Sequence, residues 1–430
     1  MKLYQLFQTC SGVTTDSRYC PEGSLFIALR GESFNGNAYA AQALKDGCAY
    51  AVIDDTHYAV EGDNRYIIVE DSLETLQQLA HYHRRQMGTK VIGITGTNGK
   101  TTTKELIATV LSQLYNVLYT LGNLNNHIGV PLTLLRLTKE HDFAIIEMGA
   151  NHPGEIKTLA AIADPDYGII TNAGKAHLEG FGSFEGVLRT KGELYDYLRT
   201  KGNTSVFIWD DTPYLKNMAA DIPQTVYGTG DSLYINGQVT GNSPCLALEW
   251  KNGNEGQPYQ VQTRLIGAYN LPNVLAAVTI GYFFGVEPEK INRALADYTP
   301  QNNRSQLKKT ENNTLIIDAY NANPASMAAA LENFKNMSVP HKVVILGDMR
   351  ELGTESAAEH QKIIDYIHTC HFEQAFLVGE NFAATKHAYT SYATVQELIA
   401  AFQTSPPPIG KTILIKGSNG VKLGQVVEFL

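Results

Sequence analysis

The sequence predicts an α/β protein of three domains. These are a small N-terminal α/β domain over residues 1–88, a central domain with a mostly parallel, doubly wound sheet over 89–309, and a Rossmann-like C-terminal domain over 310–430. Three observations predict it. At 430 residues the chain exceeds what one hydrophobic core usually supports. Short apolar runs alternate with segments of helical periodicity, the pattern of parallel strands joined by crossover helices. One junction, an apolar run at 91–94 followed by a glycine-rich loop and a helical pattern, is of the kind that sets a ligand at the carboxyl end of a parallel strand.

In the first domain the strand-like runs are 25–29, 50–53 and 66–69, broken by the turn-forming Gly31-Glu-Ser-Phe-Asn-Gly36 and Glu61-Gly-Asp-Asn64. A helical pattern ending at 84–89 leads into the central domain. There Leu106, Ile107, Val110, Leu111 and Leu114 share one helical face, and further strand-like runs follow at 117–121, 143–147 and 167–171. Near the end of that domain, runs at 246–250 and 259–265 flank Lys251-Asn-Gly-Asn-Glu-Gly256 and predict a β-hairpin. The C-terminal domain carries runs at 315–317, 343–346, 375–378 and 413–415, with Pro406-Pro-Pro408 marking a loop before the last.

Composition narrows the class. Acidic residues outnumber basic ones 43 to 34, giving a net charge of −9 with no lysine or arginine cluster, so a nucleic-acid partner is not expected. A small anionic substrate held by a few local cations is compatible with that balance. No run of about 18 uncharged apolar residues occurs, so no membrane insertion is expected. The start, Met1-Lys-Leu-Tyr-Gln5, has no signal-peptide pattern. The five cysteines are scattered and lack C-x-x-C spacing, which reads as reduced thiols in a cytoplasmic protein.

The run Thr95-Gly-Thr-Asn-Gly-Lys-Thr101-Thr102 lies between a predicted strand and a predicted helix, the context in which such a loop cradles phosphate. Gly96 and Gly99 let the backbone curl so that amides, including those of Thr97 and Asn98, point inward, and the helix start adds its dipole. Lys100 is the candidate to neutralise the β- and γ-phosphates, and the Thr101 hydroxyl to join a Mg²⁺ shell. The strict G-x-x-x-x-G-K-[ST] pattern fails at Ile94, where glycine is asked for. No Asn-Lys dipeptide occurs, which removes the guanine-reading motif and leaves ATP. The central domain is therefore expected to be a P-loop domain.

These motifs, with Ile145-Ile-Glu-Met-Gly-Ala-Asn-His152, Thr171-Asn-Ala-Gly-Lys-Ala-His-Leu-Glu-Gly-Phe-Gly182, Arg189-Thr-Lys-Gly-Glu193, Asn270-Leu-Pro-Asn273, Arg304, Asp318-Ala-Tyr-Asn-Ala-Asn-Pro324, Gly347-Asp-Met-Arg-Glu-Leu-Gly353 and Lys416-Gly-Ser418, resemble the Mur ligases of peptidoglycan synthesis, in consistent order over nearly the whole chain. Gly122-Asn-Leu-Asn-Asn-His-Ile-Gly-Val-Pro131 and Ala150-Asn-His-Pro-Gly-Glu155 most resemble the members that join D-alanyl-D-alanine to UDP-N-acetylmuramoyl-tripeptide. The resemblance implies that ATP phosphorylates the terminal carboxylate of the tripeptide and that the dipeptide amine attacks the acyl phosphate. The first domain would bind the UDP-linked substrate, the second ATP, and the third would close on ATP and receive the dipeptide. Such an enzyme is expected to act as a cytoplasmic monomer.

The same resemblance assigns roles to single residues. Glu147, at the end of a strand, and His177, in a loop, become ligands of two Mg²⁺ ions, although a loop histidine alone reads as a surface residue. Lys191 becomes a carbamate formed with CO₂ and a further metal ligand; from spacing alone it is an exposed helix lysine. Asn270 and Asn273 read adenine, or merely cap a helix. Arg304 reaches the γ-phosphate and Asp318 the ribose, while Tyr320, Asn321 and Asn323 receive the dipeptide. Thr15, Asp16, Ser17, Arg18 and Arg30 form the uridine-nucleotide site, where Phe34-Asn-Gly-Asn37 departs from the family's Phe-Asp-Gly-His. Lys100, Lys191, His177 and Arg304 are the expected catalytic residues. The alternatives are another amino-acid-adding member, a folylpolyglutamate synthetase-like ligase, or an ATP-dependent switch, which has no use for Glu147, His177 and Lys191 together.

Overall fold

The computed structural model describes residues 2–174, 178–253, 257–301 and 303–430, which form three sheets in chain order. The first is wholly parallel, with β1 (Val13–Thr14), β2 (Leu25–Ile27), β3 (Tyr50–Ile53) and β4 (Tyr66–Ile68) side by side. Its strands are continuous apolar runs because both faces are covered. Phe26, Ala51 and Ile53 pack with Ala40, Ala43 and Leu44 of the Ala40–Lys45 helix. Leu25, Ile27 and Val52 belong instead to the cluster that holds Leu76, Leu79 and Ala80 of the Ser72–Met87 helix. That helix starts at Asp71, whose carboxylate accepts from the Glu74 amide at 2.7 Å, and ends at Gly88 with φ +72°. The same cluster continues through Val91, Ala144 and Ile146 of the next sheet, so the first two sheets share one core.

The central sheet has nine strands: β5 (Lys90–Thr95), β6 (Val117–Tyr119), β7 (Phe143–Glu147), β8 (Tyr167–Ile170), β9 (Ser205–Trp209), β10 (Gln224–Gly228), β11 (Ile235–Asn242), β12 (Cys245–Asn252) and β13 (Tyr259–Ile266). Their spatial order is β13-β12-β11-β10-β9-β8-β5-β7-β6. Neighbours from β6 to β11 are parallel, and β11, β12 and β13 form an antiparallel tail that contains the expected hairpin. The chain enters at β5, moves out to β6 on one side and later crosses to β8 on the other. The order therefore reverses beside β5, and the carboxyl ends of β5, β7 and β8 open a crevice. The helix after the glycine-rich loop is Lys100–Leu111; the chain leaves it at Ser112, so Leu114 lies beyond its apolar face and is exposed.

The third sheet is Rossmann-like, with order β14-β15-β19-β16-β17-β18 for β14 (Gln306–Lys309), β15 (Thr314–Asp318), β16 (Lys342–Gly347), β17 (Gln374–Val378), β18 (Thr390–Tyr392) and β19 (Thr412–Lys416). All pairs are parallel except β14 with β15. This sheet begins at Gln306, ahead of the boundary expected at residue 310. Gln-Leu-Lys-Lys is an edge strand whose lysines face water, so it carries no apolar signal. Among the described residues no helix is long and apolar enough to cross a membrane.

Candidate active site

A cavity of about 1200 Å³ lies where the crevice of the central sheet faces the carboxyl edge of the third. Its walls include residues 96–102, Glu147, Lys191, Asn270, Asn273, Arg304, Asp318, Tyr320 and Asn321, which are far apart in the chain. Thr95 stands behind the loop, where its buried hydroxyl donates to the Met148 carbonyl at 2.9 Å. Thr15, Asp16, Ser17, Arg18 and Arg30 do not line this cavity; they follow the carboxyl ends of β1 and β2 on the first sheet. His177 lies outside the described residues.

The loop's glycines are required by geometry. Gly96 has φ +143°, and a Cβ there would sit 2.0 Å from Thr171 Oγ1; Gly99 has φ +79°, with Asn273 Oδ1 2.6 Å from such a Cβ. Ile94 departs from the strict motif because position 94 is still inside β5 and fully buried. The Lys100 ammonium donates to the carbonyls of Gly96 at 2.7 Å and Thr97 at 3.2 Å, curling back over the loop. Withdrawal from water holds its pKa below the ordinary lysine value, against the raising effect of Glu147 and with a further push down from Arg304.

Glu147 ends β7 with its carboxylate almost wholly buried. Oε1 accepts from Thr101 Oγ1 at 3.2 Å and from Asn125 Nδ2 at 2.8 Å. Oε2 is buried without a hydrogen-bond partner, 3.7 Å from the Lys104 ammonium. Lys104 Nζ is likewise unpartnered and stands 3.8 Å from Glu105 Oε1. Sequence reading missed Lys104. Its signal was a lysine one turn beyond Lys100 on a helix whose neighbouring positions are buried, where an apolar side chain is the rule.

Lys191 is buried at 2 % exposure in the Phe184–Lys201 helix, so the expectation of an exposed lysine from spacing alone fails. Helix periodicity turned it inward, and its Nζ lies 5.4 Å from the Phe181 ring centroid. Burial, and next the charge of Lys100, bring its pKa from 10.5 to about 7, with Glu155 and Glu193 pulling the other way.

Asn270 Nδ2 donates to the Ile266 carbonyl, and Asn270 Oδ1 accepts from Asn273 Nδ2, each at 2.8 Å. Asn273 Oδ1 accepts from Thr103 Oγ1 at 3.0 Å, tying this pair to the phosphate-loop helix. Each carboxamide keeps one donor and one lone pair for a base. Across the cavity the Arg304 guanidinium stacks 3.8 Å over the Tyr320 ring, with its Nε buried and unpartnered. Asp318, at the end of β15, accepts from the Ser305 amide at 3.3 Å and is ion-paired with the buried Lys416 at the end of β19. Asn323 is not in the wall. It caps the Pro324–Asn336 helix, and its Nδ2 donates to Asn98 Oδ1 of the phosphate loop at 2.7 Å.

On the first sheet, Asp16 holds Arg18 through Nε and Nη2, both at 2.9 Å, and Arg30 Nε donates to Asp54 Oδ1 at 2.7 Å. Asn37 Nδ2 donates to the same Asp54 oxygen at 2.7 Å and to Asn35 Oδ1 at 2.8 Å, so Asn35 and Asn37 form one network with Arg30.

Three family models match in succession: "Mur ligase family, catalytic domain" over residues 9–84, "Mur ligase middle domain" over 94–281 and "Mur ligase, glutamate ligase domain" over 303–419. The chain is 35% identical to the UDP-N-acetylmuramoyl-tripeptide–D-alanyl-D-alanine ligase of Bacillus subtilis, covering 97% of this chain and 93% of that protein. It is 35% identical to the ligase of the same name in Escherichia coli, with 98% and 94% covered. Its structure resembles the crystal structure of MurF from Acinetobacter baumannii with a TM-score of 0.86 at 30% identity, over 99% of this chain and 97% of that one.

Proposed function

The chain belongs to the Mur ligase family, and from that premise we propose that it uses ATP to join D-alanyl-D-alanine to UDP-N-acetylmuramoyl-tripeptide. One observation carries the reading. The phosphate loop, Glu147 and Lys191 from the central sheet meet Arg304, Asp318 and Tyr320 from the third around a single cavity.

A carboxylate is a poor electrophile until one oxygen becomes a leaving group. A tripeptide carboxylate oxygen attacks the γ-phosphorus, the bond to ADP breaks, and an acyl phosphate forms. The dipeptide amine then attacks the acyl carbon, phosphate leaves, and the amine gives up a proton. The Thr97 and Asn98 amides, expected to face phosphate, instead donate to the carbonyl and Oδ1 of Asn172, each at 3.0 Å; the loop's other amides and the Lys100 ammonium hold the β- and γ-phosphates. Arg304 adds charge at the γ-phosphate from the opposite wall, Asn270 and Asn273 hold adenine, and Asp318 holds the ribose. Tyr320 and Asn321 receive the dipeptide. Thr15, Asp16, Ser17, Arg18 and Arg30 hold the UDP moiety.

Glu147 Oε2, a buried acceptor with no hydrogen-bond partner, fits a cation, so Thr101 and Glu147 are the residues that would hold Mg²⁺. When bound, Mg²⁺ supplies charge neutralisation at the phosphates. Lys191 fits a carbamate: an amine with a pKa of about 7 is half neutral at neutral pH, so most of the deprotonation cost borne by a free lysine is absent. His177, outside the described residues, would be the ligand of a second Mg²⁺ that the family resemblance implies. The enzyme acts in the cytoplasm, where ATP and nucleotide-linked precursors are available, as a monomer.

The test is ADP release by the purified protein with UDP-N-acetylmuramoyl-tripeptide, D-alanyl-D-alanine, a folate and glutamate offered singly and in pairs. Release that needs both the tripeptide and the dipeptide supports the reading. Release with folate and glutamate alone refutes it.

A further inference from the structure

We propose that Asn323 is a positioning residue that fastens the third sheet to the tip of the phosphate loop through Asn98. The inference rests on the ligase reading only for its kinetic consequence.

Asn98 is held from two sides. Within the central sheet its amide donates to Asn172 Oδ1 at 3.0 Å, and its carbonyl accepts from Thr171 Oγ1 at 2.6 Å and Asn172 Nδ2 at 3.1 Å. These bonds fix its backbone and leave its side chain facing the third sheet. There Asn98 Oδ1 accepts from Asn323 Nδ2 at 2.7 Å.

Asn323 is buried, at 4 % exposure, and its carboxamide is divided between two tasks. Oδ1 accepts from the Ser326 amide at 2.9 Å while Ser326 Oγ accepts from the Asn323 amide at 3.1 Å, a reciprocal cap on the Pro324–Asn336 helix. The cap uses the oxygen and fixes the rotamer, which aims the nitrogen at Asn98. Serine or aspartate would cap equally well, but neither offers the N–H that Asn98 needs. The bond's place gives it consequence. Tyr320, which carries the Arg304 guanidinium on its face, precedes Asn323 in the short loop that follows Asp318. Fastening Asn323 to Asn98 therefore fixes the distance between the Arg304 platform and the loop that carries Lys100.

A neutral buried hydrogen bond of this kind shifts an equilibrium by about five-fold. Three variants separate cap from fastening: Asn323→Ser keeps the cap and loses the reach, Asn323→Ala loses both, and Asn98→Ala removes the acceptor without touching the loop's backbone bonds. The first readout is hydrogen exchange of ligand-free protein. Exchange of a peptide spanning 95–102 should rise about five-fold in Asn323→Ser and Asn323→Ala alike, whereas the start of the Pro324–Asn336 helix should loosen only with alanine. The second readout is ligation: Asn323→Ser and Asn98→Ala should each lower kcat about five-fold, and the double variant no further, because both remove the same bond. Unchanged loop exchange in Asn323→Ser overturns the inference whether or not the ligase reading holds. Multiplying losses in the double variant, or serine restoring full kcat, overturn it while leaving that reading intact.

Discussion

Replacing Lys191 by methionine should make the protein more stable and inactive. Its amine has a pKa of about 7 in the fold against 10.5 for an ordinary lysine, chiefly because it is buried. At about 1.4 kcal/mol per pKa unit, that displacement corresponds to about 5 kcal/mol of lost stability when the amine is forced to carry its charge. The sign follows from proton counting. Below pH 7 both folded and unfolded chains are protonated at this site, and the penalty is borne in full. Between pH 7 and 10.5 the unfolded chain binds more protons than the folded one, so stability rises with pH; above that range the penalty is gone. Methionine is close in length and does not titrate. In metal-free, CO₂-free buffer at pH 6, Lys191→Met should therefore resist urea better than the parent by up to about 5 kcal/mol. The gap should close by about 1.4 kcal/mol per pH unit above 7. Ligation by the same variant should be at background, and by Lys191→Arg as well, since a guanidinium keeps the cation but cannot carry the carbamate. A methionine variant no more stable than the parent at pH 6, or a gap independent of pH, would refute the assignment of a buried, depressed amine. Retained activity in Lys191→Arg would refute the carbamate role.

Lys100→Ala should lower kcat by about 10²-fold or more with an unchanged melting curve, because it removes charge at the transferring phosphate; near-normal turnover in a folded variant would dismiss the phosphate-loop assignment. Glu147→Gln keeps the shape of the carboxylate but not its charge, so Mn²⁺ binding in the presence of ADP, followed by electron paramagnetic resonance, should weaken by about ten-fold or more. Arg304→Lys preserves a cation but not a plane to stack on Tyr320, and kcat should fall by about ten-fold; an unaltered rate would mean that charge alone suffices. Small-angle scattering should show a more compact particle with an ATP analogue and tripeptide present, the third sheet pivoting about its contact with the phosphate loop to exclude water from an acyl phosphate.

Periodicity made the fold largely legible. The run at 143–147 is a strand over those same residues, and the runs at 246–250 and 259–265 lie in two antiparallel paired strands. What periodicity could not reveal were edges: β14 and β18 are short and polar, so no apolar pattern marks them. In the site, Gly96, Gly99 and Lys100 were readable because backbone curvature and phosphate charge demand those residue types. Lys191 was not, since a helix lysine looks the same whether it faces water or the core; only the position of the Phe184–Lys201 helix against the sheet decides. Lys104 and the second role of Asn323 were invisible for a related reason. Each depends on a partner far away in the chain, Glu147 for one and Asn98 for the other, and sequence spacing carries no information about either approach.

The charges around the cavity of this chain, whose net charge is −9, decide how it would host so anionic a reaction and why divalent ions would help. Lys100, Lys191, Arg304 and Lys416 line the walls, but so do Glu147, Glu155, Asp318 and Glu351. Asp318 is already paired with Lys416, and burial, with a further push from Arg304, lowers the proton affinity of Lys100. With Lys191 half neutral, the walls carry no surplus of positive charge for a nucleotide triphosphate and a carboxylate. Side chains alone would leave those groups repelling one another at the moment they must touch. Divalent cations held by Glu147 would remove that repulsion, and converting Lys191 from a cation into an anionic carbamate would become favourable only once they are present. Metal, CO₂ and nucleotide should therefore bind with positive coupling, each tightening the others, and a site assembled from any one of them alone should be incomplete.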